Sequence, residues 1–470
     1  SSVSAQLLRP RLDSIMHALD EDSDFSSDDE RTMDFSDVES SDAEDFEGVS
    51  VVAMAFNISK GIVGEGILSL PAGIAAGTGI FTALLIMVAF YLVMMYSFWS
   101  IGRCCEATHS KSHGDVGLCV TNGKTFAVVM EVVNLFKTTL TCTAYALVIG
   151  KNSADVWTAA GQEGSWFVSA RGSFLIILVV ILLPLCLLRD LSKLAFSSLF
   201  GLACEAGVVV FMIVRLFTGE YRVGGDFYDS QEPGTQLSWG EEDGPDLFTV
   251  DLSVFVLIGS MSTAFLAHYN APKFYHQLRA RSSRTFLKAT AGGYTIALLL
   301  FATCMIVGYL TFGKNCHGNI LHNYSPEDSW ATVSRVAMLL ATICGFPIAF
   351  TGLRTATLGL FRCGTRRRVW VPVTLTLLSI IGVLGSVLND LGIVNSLGGA
   401  TLGSLIELIF PGLMIMWTYR ASQNKDSTVL DVFGAFEGKT VGRALTGLGV
   451  LLLFFGTSVV LLVKVFKVEL

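Results

Sequence analysis

The stretch that decides the fold is Asn57-Ile58-Ser59-Lys60-Gly61-Ile62-Val63-Gly64-Glu65-Gly66-Ile67-Leu68-Ser69-Leu70-Pro71. It lies inside an apolar segment, 51–76, long enough to cross a bilayer. Yet it carries a lysine, a glutamate, three glycines and a proline. Glycine weakens a helix by about 1 kcal/mol relative to alanine. A lone charge at the bilayer centre costs a few kcal/mol or more. A segment that only anchors the chain has no reason to carry such costs. Non-helical backbone at membrane depth is tolerated only where protein buries it or it lines a wet cavity. Residues 57–71 therefore read as a broken membrane helix whose interruption holds a ligand, with Gly64, Glu65 and Gly66 at the break.

The rest of the chain agrees with a membrane setting. Its 470 residues are 52% apolar and 15% charged, with a mean hydropathy of +0.59. That composition predicts an all-α polytopic membrane protein. Eleven apolar segments can be drawn, near 51–76, 79–102, 124–150, 172–188, 194–217, 249–270, 286–312, 329–360, 370–389, 393–418 and 442–466. Residues 1–48 are different: Ser, Asp and Glu crowd the run from Asp20 to Glu47. This stretch is expected to be a disordered acidic tail. It reads either as a solvated tail or as an arm for cytosolic regulators, phosphorylated at Ser26, Ser27, Ser36 or Ser41. Residues 49–470 are expected to form the membrane domain. With the N-terminus inside, the cytosolic loops hold eighteen lysines and arginines against six on the other side, so the tail is expected in the cytosol.

A second weak signal sits five segments further on. Within 249–270 and just beyond it lie Gly259-Ser260-Met261-Ser262-Thr263 and then Ala267-His268-Tyr269-Asn270-Ala271-Pro272. Transporters built from inverted repeats place their sites where one helix in each half is interrupted. Breaks in the first and sixth segments fit a 5+5 arrangement with the eleventh appended. An unpaired small-residue stretch would more often be tight helix packing. A free amino acid suits paired breaks, because helix termini offer N–H groups to a carboxylate and freed carbonyls to an ammonium. Ser260, Ser262 and Thr263 are the further substrate-binding candidates.

Several motifs resemble the amino acid/auxin permease family. Phe56 through Pro71 looks like its first membrane segment, and Ala267 through Leu278 like the end of its sixth. Phe346-Pro347-Ile348 with Leu353-Arg354-Thr355 is similar to its eighth, and Val394 through Thr401, continuing to Pro411, to its tenth. The likeness runs over roughly 50–470. It implies a leucine-transporter-type bundle of eleven transmembrane helices and cation-driven amino acid transport. In the sodium-coupled branch the position of Lys60 usually carries an asparagine, so Lys60-Gly61-x-x-Gly64-x-Gly66 looks more like the proton-coupled members. Lys60, Glu65, His268 and Thr355 are the ion-coupling candidates. A buried ammonium can stand where a metal cation would. Glu65 is expected to take the coupling proton, to pair with Lys60, or to favour a cationic substrate. Lys60 could equally snorkel to the headgroups. Arg354 is expected to support a gate or the bundle. Thr355 and Thr357 read as an ion site or as packing hydroxyls.

The expected function is secondary active symport of small amino acids by alternating access, driven by protons, with sodium as the alternative. No cofactor and no metal site are expected. A channel and an amino-acid-sensing receptor are the rivals from other classes. The sequence shows no nucleotide loop, no catalytic carboxylate pair in a soluble domain, and no tail suited to nucleic acid. The expected partners are an amino acid and the lipid bilayer. Plasma membrane and a vacuolar or lysosomal membrane both fit.

Overall fold

The structure is a computed structural model. It describes residues 48–467 apart from 122, 163, 188–194, 232, 238–243, 362–366, 389 and 425–427. The acidic tail and its serines lie outside the described residues.

Among the described residues ten helices are long and apolar enough to cross a membrane, and a bent pair, Val51–Ile62 with Glu65–Ala75, makes the eleventh span. In chain order the others are Ile80–Thr108, Lys124–Ala159, Ala170–Leu187, Leu199–Thr218, Val254–Gln277, Ser283–Asn315, Ser329–Leu360, Arg368–Val387, Leu391–Ser422 and Glu437–Val465. The eleven segments read from the sequence are thus all present. Side chains cap several of the helices. Ser50, Ser282, Asp328 and Asp390 accept from backbone N–H groups in the first turns of spans one, seven, eight and ten, which supplies partners that a helix start otherwise lacks.

The first span is bent by 48° at its break. The α-helix Val51–Ile62 ends at Val63, a 3₁₀ turn covers Glu65–Ser69, and a short helix, Leu70–Ala75, completes the crossing. The sixth is interrupted in the same manner. Helix Val254–Ala264 stops, Phe265–Ala267 are non-helical, a 3₁₀ turn spans His268–Asn270, and helix Ala271–Gln277 follows. Each short helix has its proline, Pro71 or Pro272, in the first turn. There the missing N–H costs nothing and the fixed φ favours a helical start.

The two broken spans run antiparallel against each other. Val49 pairs with Leu278 at one end, and Thr78 with Val250 at the other. Gly73 meets Leu257, and Gly66 meets Ala264, so closely that a Cβ on either glycine would lie 2.8 Å from the neighbour. Start therefore faces end, as a two-fold axis in the membrane plane requires. The pair also lies at the bundle's centre. In the most apolar window of the sixth span 78% of residues are buried, and in the tenth 72%, against 28% in the ninth and eleventh. The tenth span completes the axis by lying on the first half of the sixth. A Cβ on Gly399 would stand 1.8 Å from the Gly259 carbonyl oxygen. This contact falls where the tenth span widens into two consecutive π turns, Gly399–Gly403 and Leu405–Ile409.

Asn323, which opens an Asn323-Tyr324-Ser325 glycosylation sequon, is fully buried. Its Nδ2 donates to the carbonyls of Thr235 and Asn315, which leaves no room for a glycan.

Candidate functional site

The first break is built around missing side chains. A Cβ on Gly64 would meet the Tyr145 hydroxyl at 2.6 Å, so the bare backbone lets the third span lean onto the break. Ser69 Oγ donates to the Gly66 carbonyl and accepts from Asn395 Nδ2 at 3.2 Å, tying the break to the tenth span.

Lys60 is buried, and its Nζ donates to Glu205 Oε1 at 2.7 Å, with the two side chains 2% and 1% exposed. The same ammonium lies 3.5 Å from the Val63 carbonyl at the break. Gly201 of the fifth span makes this possible, since a Cβ there would stand 2.8 Å from Lys60 Cε. Lys60 therefore neither snorkels nor pairs with Glu65. It faces the fifth span, and its partner lies 145 residues away.

Glu65 is also buried. It lies within electrostatic reach of Lys137 and of Glu205. Lys137, on the third span and 1% exposed, lies within electrostatic reach of both Glu65 and Glu407. It donates to Thr263 Oγ1 at 3.0 Å, which in turn donates to the Asn395 carbonyl at 2.7 Å. Glu407, on the tenth span and fully buried, is 2.6 Å from Ser262 Oγ. Ser260 Oγ is 3.0 Å from Ser396 Oγ. The three candidate hydroxyls of the sixth span thus all reach the tenth span or the third-span lysine. In this conformation they clasp neighbouring helices.

Of the remaining ion-coupling candidates, His268 lies in the turn of the sixth break and Thr355 on the eighth span. His268 is fully buried, with Nε2 2.7 Å from Ser97 Oγ and its ring against Phe98 and Tyr294. These contacts fix the turn to the second and seventh spans. Thr355 is on the exposed side of the eighth span, whereas Arg354 and Thr357 are buried. Residues three apart share a helix face and a residue one step on is turned away by about 100°, so Thr355 and Thr357 do not present their hydroxyls to one common site. Arg354 supports the bundle, as expected. It donates to the Cys186 carbonyl at 2.6 Å and to Thr374 Oγ1, and lies 3.5 Å from the centre of the Trp370 ring.

Lys137, Glu205 and Glu407 stand outside the candidate site residues that the sequence offers. The available signal was their charge within apolar spans, which marks a pathway or a pair. Their partners come from other spans, so no local pattern identified them.

Two interrupted helices crossing antiparallel at the axis of an eleven-span bundle, with charges sealed around the breaks, define a membrane transporter of the inverted-repeat type. A profile of the family described as "Transmembrane amino acid transporter protein" matches residues 47–460, and the chain belongs to that family. It is 24% identical over 388 residues to sodium-coupled neutral amino acid transporter 7 of Xenopus laevis, covering 78% of this chain and 81% of that one. It is 22% identical over 386 residues to amino acid transporter AVT6E of Arabidopsis thaliana, covering 79% and 76%. Among solved structures, that of MhsT in complex with L-phenylalanine superposes with a TM-score of 0.55 at 14% identity, over 89% of this chain and 98% of that one. This last likeness concerns the fold alone. The chain is a multi-span membrane protein of an amino acid transporter family, as the resemblance implied.

Proposed function

We propose that this chain moves small amino acids together with a proton, by alternating access around the paired breaks. One observation carries the choice of ion. Three buried carboxylates, Glu65, Glu205 and Glu407, surround two buried lysines, Lys60 and Lys137. Glu205 is matched by Lys60 at 2.7 Å. Glu65 and Glu407 share the single charge of Lys137. An unmatched carboxylate in a dry interior is costly, so this group of three calls for one more positive charge. A proton supplies it without further ligands. A sodium ion needs several oxygen donors, and the ammonium of Lys60 already stands at the Val63 carbonyl. In this reading Gly64, Gly66, Ser260, Ser262 and Thr263 release their present contacts to cradle the amino acid, while Lys60 holds the first half-helix to the fifth span. The N-terminus faces the cytosol, in a plasma membrane or an acidic vacuolar or lysosomal membrane.

Sodium is the second reading, favoured by the name of the Xenopus laevis relative. Purified protein in liposomes with labelled amino acids separates the two. The proton reading expects accumulation that follows an imposed pH gradient and ignores sodium. Accumulation that follows sodium at fixed pH contradicts it. Glu65→Gln removes one negative charge from the group of three, so uptake should lose its dependence on the pH gradient while the protein still folds. Unchanged coupling in Glu65→Gln would take Glu65 out of the mechanism.

A further inference from the structure

One hydroxyl, Ser262 Oγ, lies at hydrogen-bonding distance from two acceptors. Glu407 Oε2 is 2.6 Å away and the Gly399 carbonyl oxygen 3.0 Å away. Both contacts are between oxygens, and each needs a proton between them. Ser262 has one proton to give, and a carbonyl has none. If Glu407 were ionised, Ser262 could donate to it or to Gly399, and one close O···O contact would hold no hydrogen. If Glu407 carries a proton, the chain is complete: Glu407 donates to Ser262, and Ser262 donates to Gly399.

The setting agrees with a neutral carboxyl. Glu407 is 0% exposed and sits in the π turn Leu405–Ile409, a local widening of the kind often found at functional sites. Its charged and titratable neighbours come from four elements. Lys137 reaches it from the third span, Tyr294 from the seventh, and Glu65 acts through Lys137 from the first break. His268 stands on the turn after the first half of the sixth span, which packs against this π turn. The second and eleventh spans also pack there. Among the described residues their one buried charge is Arg103, and Glu437 takes it at 2.8 Å.

We propose that Glu407 is the protonated member of the Glu65–Lys137–Glu407 group in this conformation, and that it binds and releases the transported proton. The proposal rests on the transporter reading and makes it specific. Ser262 is in the last turn before the sixth-span break, so movement of that half-helix opens the Glu407–Ser262–Gly399 chain. The Glu407 O–H bond then breaks, its electron pair stays on the carboxylate, and the proton leaves to water on the side then open. Re-protonation from the other side restores the chain. No oxidant, reductant or metal takes part.

Two measurements test this on the full-length protein in lipid nanodiscs and liposomes. Infrared difference spectra between neutral and alkaline pH should show a protonated carboxyl band that is absent in Glu407→Gln and shifted in Ser262→Ala. The Ser262→Ala shift assigns the band even if Glu407→Gln fails to fold. In liposomes a gradient of one pH unit sustains about ten-fold accumulation per coupled proton. Glu407→Gln should lose that accumulation, any exchange it retains should ignore pH, and Glu407→Asp should restore the pH dependence. Absence of a Glu407 carboxyl band in wild type overturns the proposal, as does pH-driven accumulation by Glu407→Gln. Wild-type protein that exchanges amino acids without moving protons overturns it and leaves amino acid transport standing. Wild-type protein that moves no amino acid at all removes the transporter reading first.

Discussion

Glu205→Ala is expected to lower the thermal midpoint sharply and to abolish amino acid uptake. The substitution leaves the Lys60 ammonium buried, 2% exposed, without its carboxylate. Removing one member of a buried ion pair typically costs about 3–5 kcal/mol, since the remaining charge is neither solvated nor matched. Lys60→Ala should cost a similar amount by orphaning Glu205. The double variant Lys60→Met, Glu205→Leu separates stability from function. Well-packed apolar replacements of a buried pair are often neutral or stabilising, so this variant should melt near wild type. Uptake should stay lost, because the ammonium at the Val63 carbonyl has gone. A Glu205→Ala protein that melts like wild type would show that water reaches the pair.

Gly66→Ala is the second change with a large expected effect. The new Cβ would lie 2.8 Å from Ala264 Cα and 3.2 Å from Ala264 Cβ. The first of these is backbone and cannot swing aside. Overpacking of this kind typically costs about 1–3 kcal/mol. Here the strain has one outlet, separation of the two breaks. Uptake should fall at least about ten-fold, the equivalent of 1.4 kcal/mol, with a modest loss in thermal midpoint. Gly207→Ala is the control. It lies on an exposed face of the fifth span with no atom within 4 Å of its would-be Cβ. There alanine should leave uptake unchanged and gain up to about 1 kcal/mol of helix stability.

The parts of this architecture that were legible in sequence are those that break a local rule. Glycines, a lysine and a glutamate in an apolar span announce the first interruption, and Pro71 and Pro272 mark where each second half-helix begins. Span positions follow from hydropathy, because backbone inside a bilayer must close its own hydrogen bonds. Charge partners are another matter. Lys60 and Glu205 are 145 residues apart, and Ser262 and Glu407 likewise. Which charges meet depends on how spans one, five, six and ten rotate about their axes. Small residues such as Gly201 and Gly399 set that rotation through contacts that leave no periodic trace. One residue's step around the eighth span likewise separates buried Arg354 from exposed Thr355.

The central claim is that the first and sixth breaks together hold the amino acid. Hydrogen–deuterium exchange on the full-length protein in nanodiscs tests it most directly, with and without a mixture of the twenty proteinogenic amino acids. Amide exchange is expected to slow at 63–67 and at 264–268 together when the mixture is present. Slowing at only one of these stretches, or only elsewhere in the chain, would contradict it.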